Sequence, residues 1–386
     1  MIHSRFEIKV GIMTAKEIRI TDLPDRNSFL VHDVPIGKGF HWERKEDQEF
    51  RGSYQIRKED NGEKTLINIL SIEDYLESVI ASEMASTSAL ELLKAHAVIS
   101  RSWLLAQIER SRFLKAQDTQ QSSVYETEAE YIRWYDREDH SCFDVCADDH
   151  CQRYQGISRI STPLVTRAVR ETAGEVMMYE NRICDTRFSK CCGGKTETFG
   201  NTWGTEPHPY LISIDDRAGS ENDFCDTQDP AVLTQILNNY DQETSDFYEW
   251  TLVYSQQQLS DLIRRKTSWD FGEIKALIPV KRGESGRIVL LKIVGGKMTK
   301  IIGKELFIRK ALSETHLYSS DFNVEACFDP EVSSDIPLEF RLSGKGWGHG
   351  VGLCQIGAAV MAAKKYTYEE ILKHYFPLSQ LRKLYD

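Results

Sequence analysis

Several absences narrow the field before any motif is read. The sequence has no run of about 18 apolar residues, so no transmembrane helix is expected. Its N-terminus, MIHSRFEIKVGIM, lacks the apolar core of a signal peptide; apolar and polar residues alternate there, and on sequence alone the chain reads as cytoplasmic. No basic block with interleaved aromatics occurs, and the net charge is -11 with a pI near 5.5. Both argue against nucleic acid as a partner and are compatible with a neutral or cationic substrate. The nine cysteines are odd in number and six of them are bunched between Cys142 and Cys192, unlike a disulfide framework, which leaves metal binding or reduced thiols. With 41% hydrophobic and 28% charged residues, the 386-residue chain has the composition of an ordinary soluble globular protein of two or three domains.

Against that background one stretch stands out, IEDYLESVIASEMASTSALELLKAHAVISRSWLLAQ, from Ile72 to Gln107. Ile72, Tyr75, Leu76, Val79, Ile80 and Met84 share one face of a helix, and Glu83 falls on the same face. A carboxyl aimed at an apolar interface is costly unless paired or neutral. Desolvation raises its pKa, as a general acid near neutral pH requires, so Glu83 is the leading catalytic candidate. Ser71 is a fit cap for this helix, and Ser88 with Glu91 reads as the capping box of a second one. Leu90, Leu93, Ala97 and Leu104 mark the second helix's buried face, and Lys94 and Arg101 lie on it too. A buried ion pair between the helices accounts for those polar residues as well as catalysis does.

The expected fold is α+β. Residues 1–70 form a β-rich unit, with alternation at Phe6–Val10, an apolar run from Ser28 to Ile36, and a hairpin of Tyr54–Arg57 and Thr65–Leu70 around Asn61-Gly62. The mixed aromatic and charged segment Phe40–Phe50 reads as a solvated strand edge. Residues 71–215 are the first part of a core, 216–335 an α+β insertion, and 336–386 a glycine-rich return to the core. Thr127–Tyr135 reads as a short helix within a polar excursion. Phe307–Leu312, Phe322–Phe328 and Leu338–Leu342 read as short strands, and Thr367 with Glu370 as the cap of a final helix.

Three further clusters carry chemistry. His140, Cys146, His150 and Cys151 supply two imidazoles and two thiolates within twelve residues, a donor set suited to tetrahedral zinc. Cys142 competes as a ligand, and Asp144, Asp148 and Asp149 are candidates to orient the imidazoles. Next, the segment Asp185–Thr196 holds Ser189, Cys191 and the turn Gly193-Gly194; Ser189 or Cys191 is a conceivable nucleophile, but no spacing supports a Ser–His–Asp arrangement. The loop after it carries Trp203, an aromatic of the kind that stacks on sugars. Finally, SGKGWGHGVG (Ser343–Gly352) is neither a P-loop nor a dinucleotide fingerprint. Its alternating glycines allow close backbone approach, either as a tight packing turn or as a cleft wall presenting Trp347, His349 and Gln355.

Three blocks, EDYLESVIASEM…LELLKAHAVISRSW, FSKCCGGKTE…TWG…PYL and GKGWGHGVGLCQIGAAVMA, resemble in wording and order the SpoIID/LytB family, in the version found in Bacteroides-type bacteria. The likeness spans roughly residues 65 to 384. It implies a SpoIID-like mixed fold with a catalytic helix pair, and a lytic transglycosylase acting on peptidoglycan strands stripped of stem peptides. The acid of the family's A-S-E-M motif is here Glu83, and the arginine of the second helix is Arg101, with Lys94 beside it. The family's proline after Glu-Met is replaced by Ala85, and its A-Q-A by Ala95-His96-Ala97. Some members carry a structural zinc at the position of His140–Cys151; the segment after Cys146 is one residue shorter here. Ser189, Gly193, Gly194, Trp203, Trp347, His349 and Gln355 become candidate substrate contacts. The substrate implies the cell envelope, at odds with the N-terminus. Two other readings remain: a non-catalytic glycan-binding amidase enhancer of the LytB kind, partnered by a peptidoglycan amidase, and a zinc hydrolase.

Overall fold

The computed structural model describes residues 7–37, 43–117, 122–135, 140–148, 150–204, 208–217, 219, 221–236, 247–331 and 334–385. It is a mixed α+β fold with two hydrophobic cores.

The N-terminal strands form where alternation and turn chemistry place them. Strand Ser53–Lys58 pairs with Lys64–Ser71 across a turn in which Gly62 has φ +82°, and Lys64–Ser71 pairs with Glu7–Ala15. A second sheet joins Ile20–Leu23, Ser28–Ile36 and Arg44–Arg51. The predicted edge strand at 40–50 is the outer strand of this sheet, with Phe50 fully buried, while residues 40–42 lie outside the described residues.

Helix α1 (Ile72–Glu83) begins where the Ser71 hydroxyl accepts the Asp74 N–H at 3.1 Å. Its apolar stripe is buried, but so are Glu77, Ser78 and Ser82 on the other sides. Helix α2 (Leu90–Gln117) is started differently from the expected capping box. The Ser88 hydroxyl donates to the carbonyls of Ala85 and Gln235, and the Gln235 side chain accepts the Ala89 N–H at 2.9 Å. The cap therefore comes from helix Pro230–Ile236, remote in sequence. Helix α3 (Pro163–Glu171) packs on both and leads through Gly174 into strand Glu175–Tyr179.

Two expectations are overturned. Thr127–Tyr135 is not helical: Val124–Glu126 and Glu130–Arg133 are strands, and the second pairs in parallel with Thr299–Gly303. Long-range pairing outweighs local periodicity here and adds the excursion to the insertion's sheet. Phe307 lies in helix Glu305–Ala311 rather than a strand, because its apolar residues cover that sheet from one face.

The second core gathers residues from Trp250 to Leu342, with Tyr131 and Tyr135 packed against it. It is fastened to the first by two buried ions. The Arg287 guanidinium, 1% exposed, donates to the carbonyls of Cys192 (3.0 Å) and Gly348 (3.2 Å). Glu197, also 1% exposed, accepts from the Ser285 hydroxyl (2.6 Å), the Thr198 N–H (2.8 Å) and the Asn201 amide (2.9 Å). Burial alone would raise the Glu197 pKa. The bonds from Asn201, Ser285 and Thr198 outweigh it and hold the carboxyl below its ordinary value.

A carboxyl whose pKa is lower in the folded than in the unfolded chain stabilises the fold above the unfolded value and ceases to do so as pH falls. The stability gap between wild type and Glu197→Gln, measured by urea unfolding, is therefore expected to be full at pH 7 and to shrink as pH falls below the ordinary 4.5. Gly350 has φ +76°, and a Cβ there would sit 2.5 Å from the Arg287 guanidinium. Gly350→Ala is expected to cost about 2 kcal/mol or more in the same assay.

Candidate functional site

Between the two cores lies a cleft of about 890 Å³. Its walls come from α1 and α2, the loop 140–153, the segment 187–190, the glycine-rich run, and the insertion residues Glu305–Ala311 and Thr315-His316. Glu83, the last residue of α1, lies in it and is 9% exposed. The Arg153 N–H donates to its carboxylate at 3.0 Å. The apolar stripe that singled out Glu83 thus continues into packing, while the carboxyl itself emerges at the cleft.

The cleft collects most of the proposed substrate contacts. Ser189, Trp203, Trp347, His349 and Gln355 line it. The Ser189 hydroxyl is buried and lacks a hydrogen-bond partner, so it is available to a ligand. Trp203 packs edge-on to His349 at 4.6 Å and lies under the Arg187 guanidinium at 4.5 Å, which is itself paired with Asp185. Trp347 is held by stacking on Phe247 and by an edge contact with Tyr318. Burial, then the nearby guanidiniums of Arg187, Arg287 and Arg309, lowers the His349 pKa far below normal. Its Nδ1 accepts the Val351 N–H, as only a neutral ring can. Gln355 is positioned by His96 at 3.1 Å, a fully buried imidazole whose pKa burial lowers to about 3.

Four proposed site residues lie elsewhere. Arg101 is fully buried on the far side of α2, donating to both Glu73 carboxylate oxygens (3.0 and 2.6 Å) and to the Glu175 carbonyl (3.0 Å). Its partner sits at the start of α1, whereas Glu83 ends that helix. Lys94 pairs with Glu171 at 2.7 Å and Glu91 at 3.3 Å, outside the cleft lining. Gly193 and Gly194 have φ of +79° and +98° and face packed atoms: a Cβ would meet Gly346 in one case and Asp223 in the other. They shape a turn and touch no cleft. Cys191, fully buried, is equally out of reach as a nucleophile.

Sequence reasoning missed a second group. Trp103, Gln107 and Arg110 line the cleft at successive turns of α2. The insertion contributes Glu305, Arg309, Lys310 and His316, so it is a wall of the site. Arg110, Arg133, Arg153, Arg187, Lys190 and Lys310 all line the cleft, against the carboxylates of Glu83, Asp144, Asp148 and Glu305. A chain of net charge -11 thus has a cationic cleft, opposite to what the whole-chain charge suggested.

The side chains of His140, Cys146, His150 and Cys151 converge, with the atoms that could hold a metal ion all within 4.8 Å of one another. His140 Nε2 lies 3.3 Å from Cys151 Sγ, and His150 Nδ1 3.6 Å from it and 3.9 Å from Cys146 Sγ. Tetrahedral zinc requires about 3.5 Å between such S and N donors, so the set fits. Cys142 is outside it, and Asp144 accepts the Lys9 N–H. Asp149 is outside the described residues.

Comparison with known proteins follows the same outline. The family model for the stage II sporulation protein matches residues 60–179, and a domain family of unknown function matches 197–352. An uncharacterized protein of Brachyspira hyodysenteriae is 26% identical over 82% of this chain and 68% of its own length. The stage II sporulation protein D of Bacillus subtilis is 26% identical over 81% of this chain and 74% of its own. The amidase enhancer of the same organism is 25% identical over 78% of this chain, but over only 39% of its own length.

Arg101→Ala removes one partner of a buried pair. It is expected to lower stability by about 3 kcal/mol while leaving the surroundings of the cleft tryptophans unchanged in the folded protein. Thermal unfolding, and near-UV circular dichroism at a temperature where the variant is folded, test the two halves.

Proposed function

This chain belongs to the SpoIID/LytB family, and we propose that it is a peptidoglycan lytic transglycosylase that cleaves the MurNAc–GlcNAc bonds of glycan strands and leaves 1,6-anhydroMurNAc ends. Its relatives give it a role tied to the cell wall. The observation that carries the finer reading is Glu83, a nearly buried carboxyl held by a backbone N–H at a cleft lined with aromatic rings and cations.

In this mechanism Glu83 begins protonated. It donates its proton to the glycosidic oxygen as the bond from MurNAc C1 to that oxygen breaks, and the GlcNAc alcohol leaves. The carboxylate then takes the proton of the MurNAc 6-hydroxyl, whose oxygen bonds to C1 and closes the anhydro ring. One group serves as acid and then as base, so no second carboxylate of the kind hydrolytic glycosidases need is invoked. The Arg153 N–H stabilises the ionised form between the two steps. Trp203 and Trp347 supply faces for sugar rings, and the unpartnered Ser189 hydroxyl a polar contact. Strands stripped of stem peptides expose a lactyl carboxylate on each MurNAc, which the cationic lining favours over intact strands. Such a substrate places the protein in the cell envelope.

His140, Cys146, His150 and Cys151 would hold zinc. Four protein ligands leave no open position, so the ion would be structural, clamping the loop that ends in Arg153 and with it the amide that orients Glu83.

The relative named an amidase enhancer favours a second reading, a non-catalytic glycan binder that acts with a peptidoglycan amidase. One experiment separates them: mass spectrometry of muropeptides after incubation with denuded strands. The wild type is expected to release 1,6-anhydroMurNAc ends, and Glu83→Gln to slow release by roughly 10²–10⁴-fold. Binding without anhydro products in the wild type would establish the second reading. Chelation is expected to lower activity and melting temperature together without changing the product.

A further inference from the structure

Among the described residues a second set of metal-ligating side chains converges, and the function above makes no use of it. The Sγ atoms of Cys192, Cys225 and Cys354 and a carboxylate oxygen of Asp216 all lie within 4.8 Å of one another. No sequence motif announces the set, because its members come from three distant segments. Cys192 follows the short strand Phe188–Ser189, Asp216 and Cys225 flank a loop, and Cys354 stands at the start of helix Gln355–Ala363.

All four residues are at most 1% exposed. Cys192 Sγ and Cys225 Sγ are 3.6 Å apart. That is far beyond the ~2.05 Å of a disulfide and close to the roughly 3.8 Å that separates two thiolates on one tetrahedral zinc. Asp216 has no Lys, Arg or His partner among the described residues, although a fully buried carboxylate demands a counter-charge.

The surroundings are those of a ligand shell. The Cys225 N–H and the Tyr375 hydroxyl donate to Asp216 at 2.8 and 2.6 Å. The Cys192 and Gly357 N–H groups donate to Cys354 Sγ at 3.2 and 3.4 Å. The second of these places the sulfur at a helix N-terminus, which favours a thiolate. Gly357 is needed for that approach, since a Cβ there would meet Asp216 at 2.5 Å. Such donors fix ligand orientation and offset the excess negative charge of a thiolate-rich centre.

We propose that Cys192, Cys225, Cys354 and Asp216 bind a zinc-class divalent cation as a structural centre separate from the His140–Cys151 loop. The ion clasps the backbone behind the cleft. Ser189, three residues before Cys192, and Gln355, next to Cys354, both line the cleft. Soft thiolate donors select zinc or iron over magnesium and calcium.

The test is metal analysis of the full chain purified with zinc available. The wild type is expected to carry two zinc ions per chain, and the double variant His140→Ala, Cys146→Ala to keep one. Adding Cys225→Ser to that variant is expected to remove the last. Because Cys225→Ser could impair folding, cobalt substitution of the double variant gives a second readout: tetrahedral d–d bands with strong thiolate-to-cobalt charge transfer. A single ion per chain that the double variant loses would overturn the proposal, as would a Cys192–Cys225 disulfide in the non-reduced peptide map. A single ion that survives the double variant and is lost with Cys225 would uphold it and place no metal in the loop.

Discussion

The arrangement of the molecule depends on the burial of Arg287. A guanidinium removed from water must have its donors met, and here backbone carbonyls of Cys192 and Gly348 meet them from two segments of the first core. Those carbonyls reach it only because the flanking positions carry no side chain. At Gly346 and Gly350 a Cβ would come within 3 Å of the guanidinium. The run of alternating glycines is therefore the socket for a cation from the insertion. Glu197 makes the reciprocal connection, accepting from Ser285 in the same hairpin turn. Together they set the insertion against the first core at the spacing that leaves a cleft.

That spacing gives Glu83 its surroundings. The residue closes α1, its backbone anchored in the first core, while the loop ending in Arg153 covers it and the insertion faces it across the cavity. Cations come from both sides of the cleft, so its charge belongs to the assembled pair of cores. The cavity is a joint product of two cores neither of which encloses it alone.

Much of this was legible in the sequence where chemistry is local. Ser71 caps α1, Thr367 and Glu370 form their capping box, and the Asn61-Gly62 turn joins its two strands as expected. Glu83 was legible because it interrupts an apolar stripe, and the His140–Cys151 set because its members are close in sequence. The failures share one cause. Periodicity reports which face a side chain occupies, not what covers that face. Arg101 and Lys94 share a face with apolar residues, yet the first half of α2 is covered nearly all round, and Glu73 and Glu171 take them up. Ser88 lost its capping role to Gln235, and Thr127–Tyr135 its helix to pairing with a strand some 170 residues on. The charge of the cleft was hidden because whole-chain composition averages over surfaces.

The borrowed cap of α2 bears on how the chain reaches its native state. The helix begins at Leu90, but Gln235 supplies its acceptor, strand Phe188–Ser189 waits for Leu353–Cys354, and Glu175–Tyr179 for Gln380–Lys383. Contacts of such sequence separation are slow to form, since loop closure must precede the interactions that repay it. During synthesis the first half emerges long before the segments that complete it. Its core is finished only once those later segments have been made, so the half that holds Glu83 and the strands that complete it form as one cooperative unit.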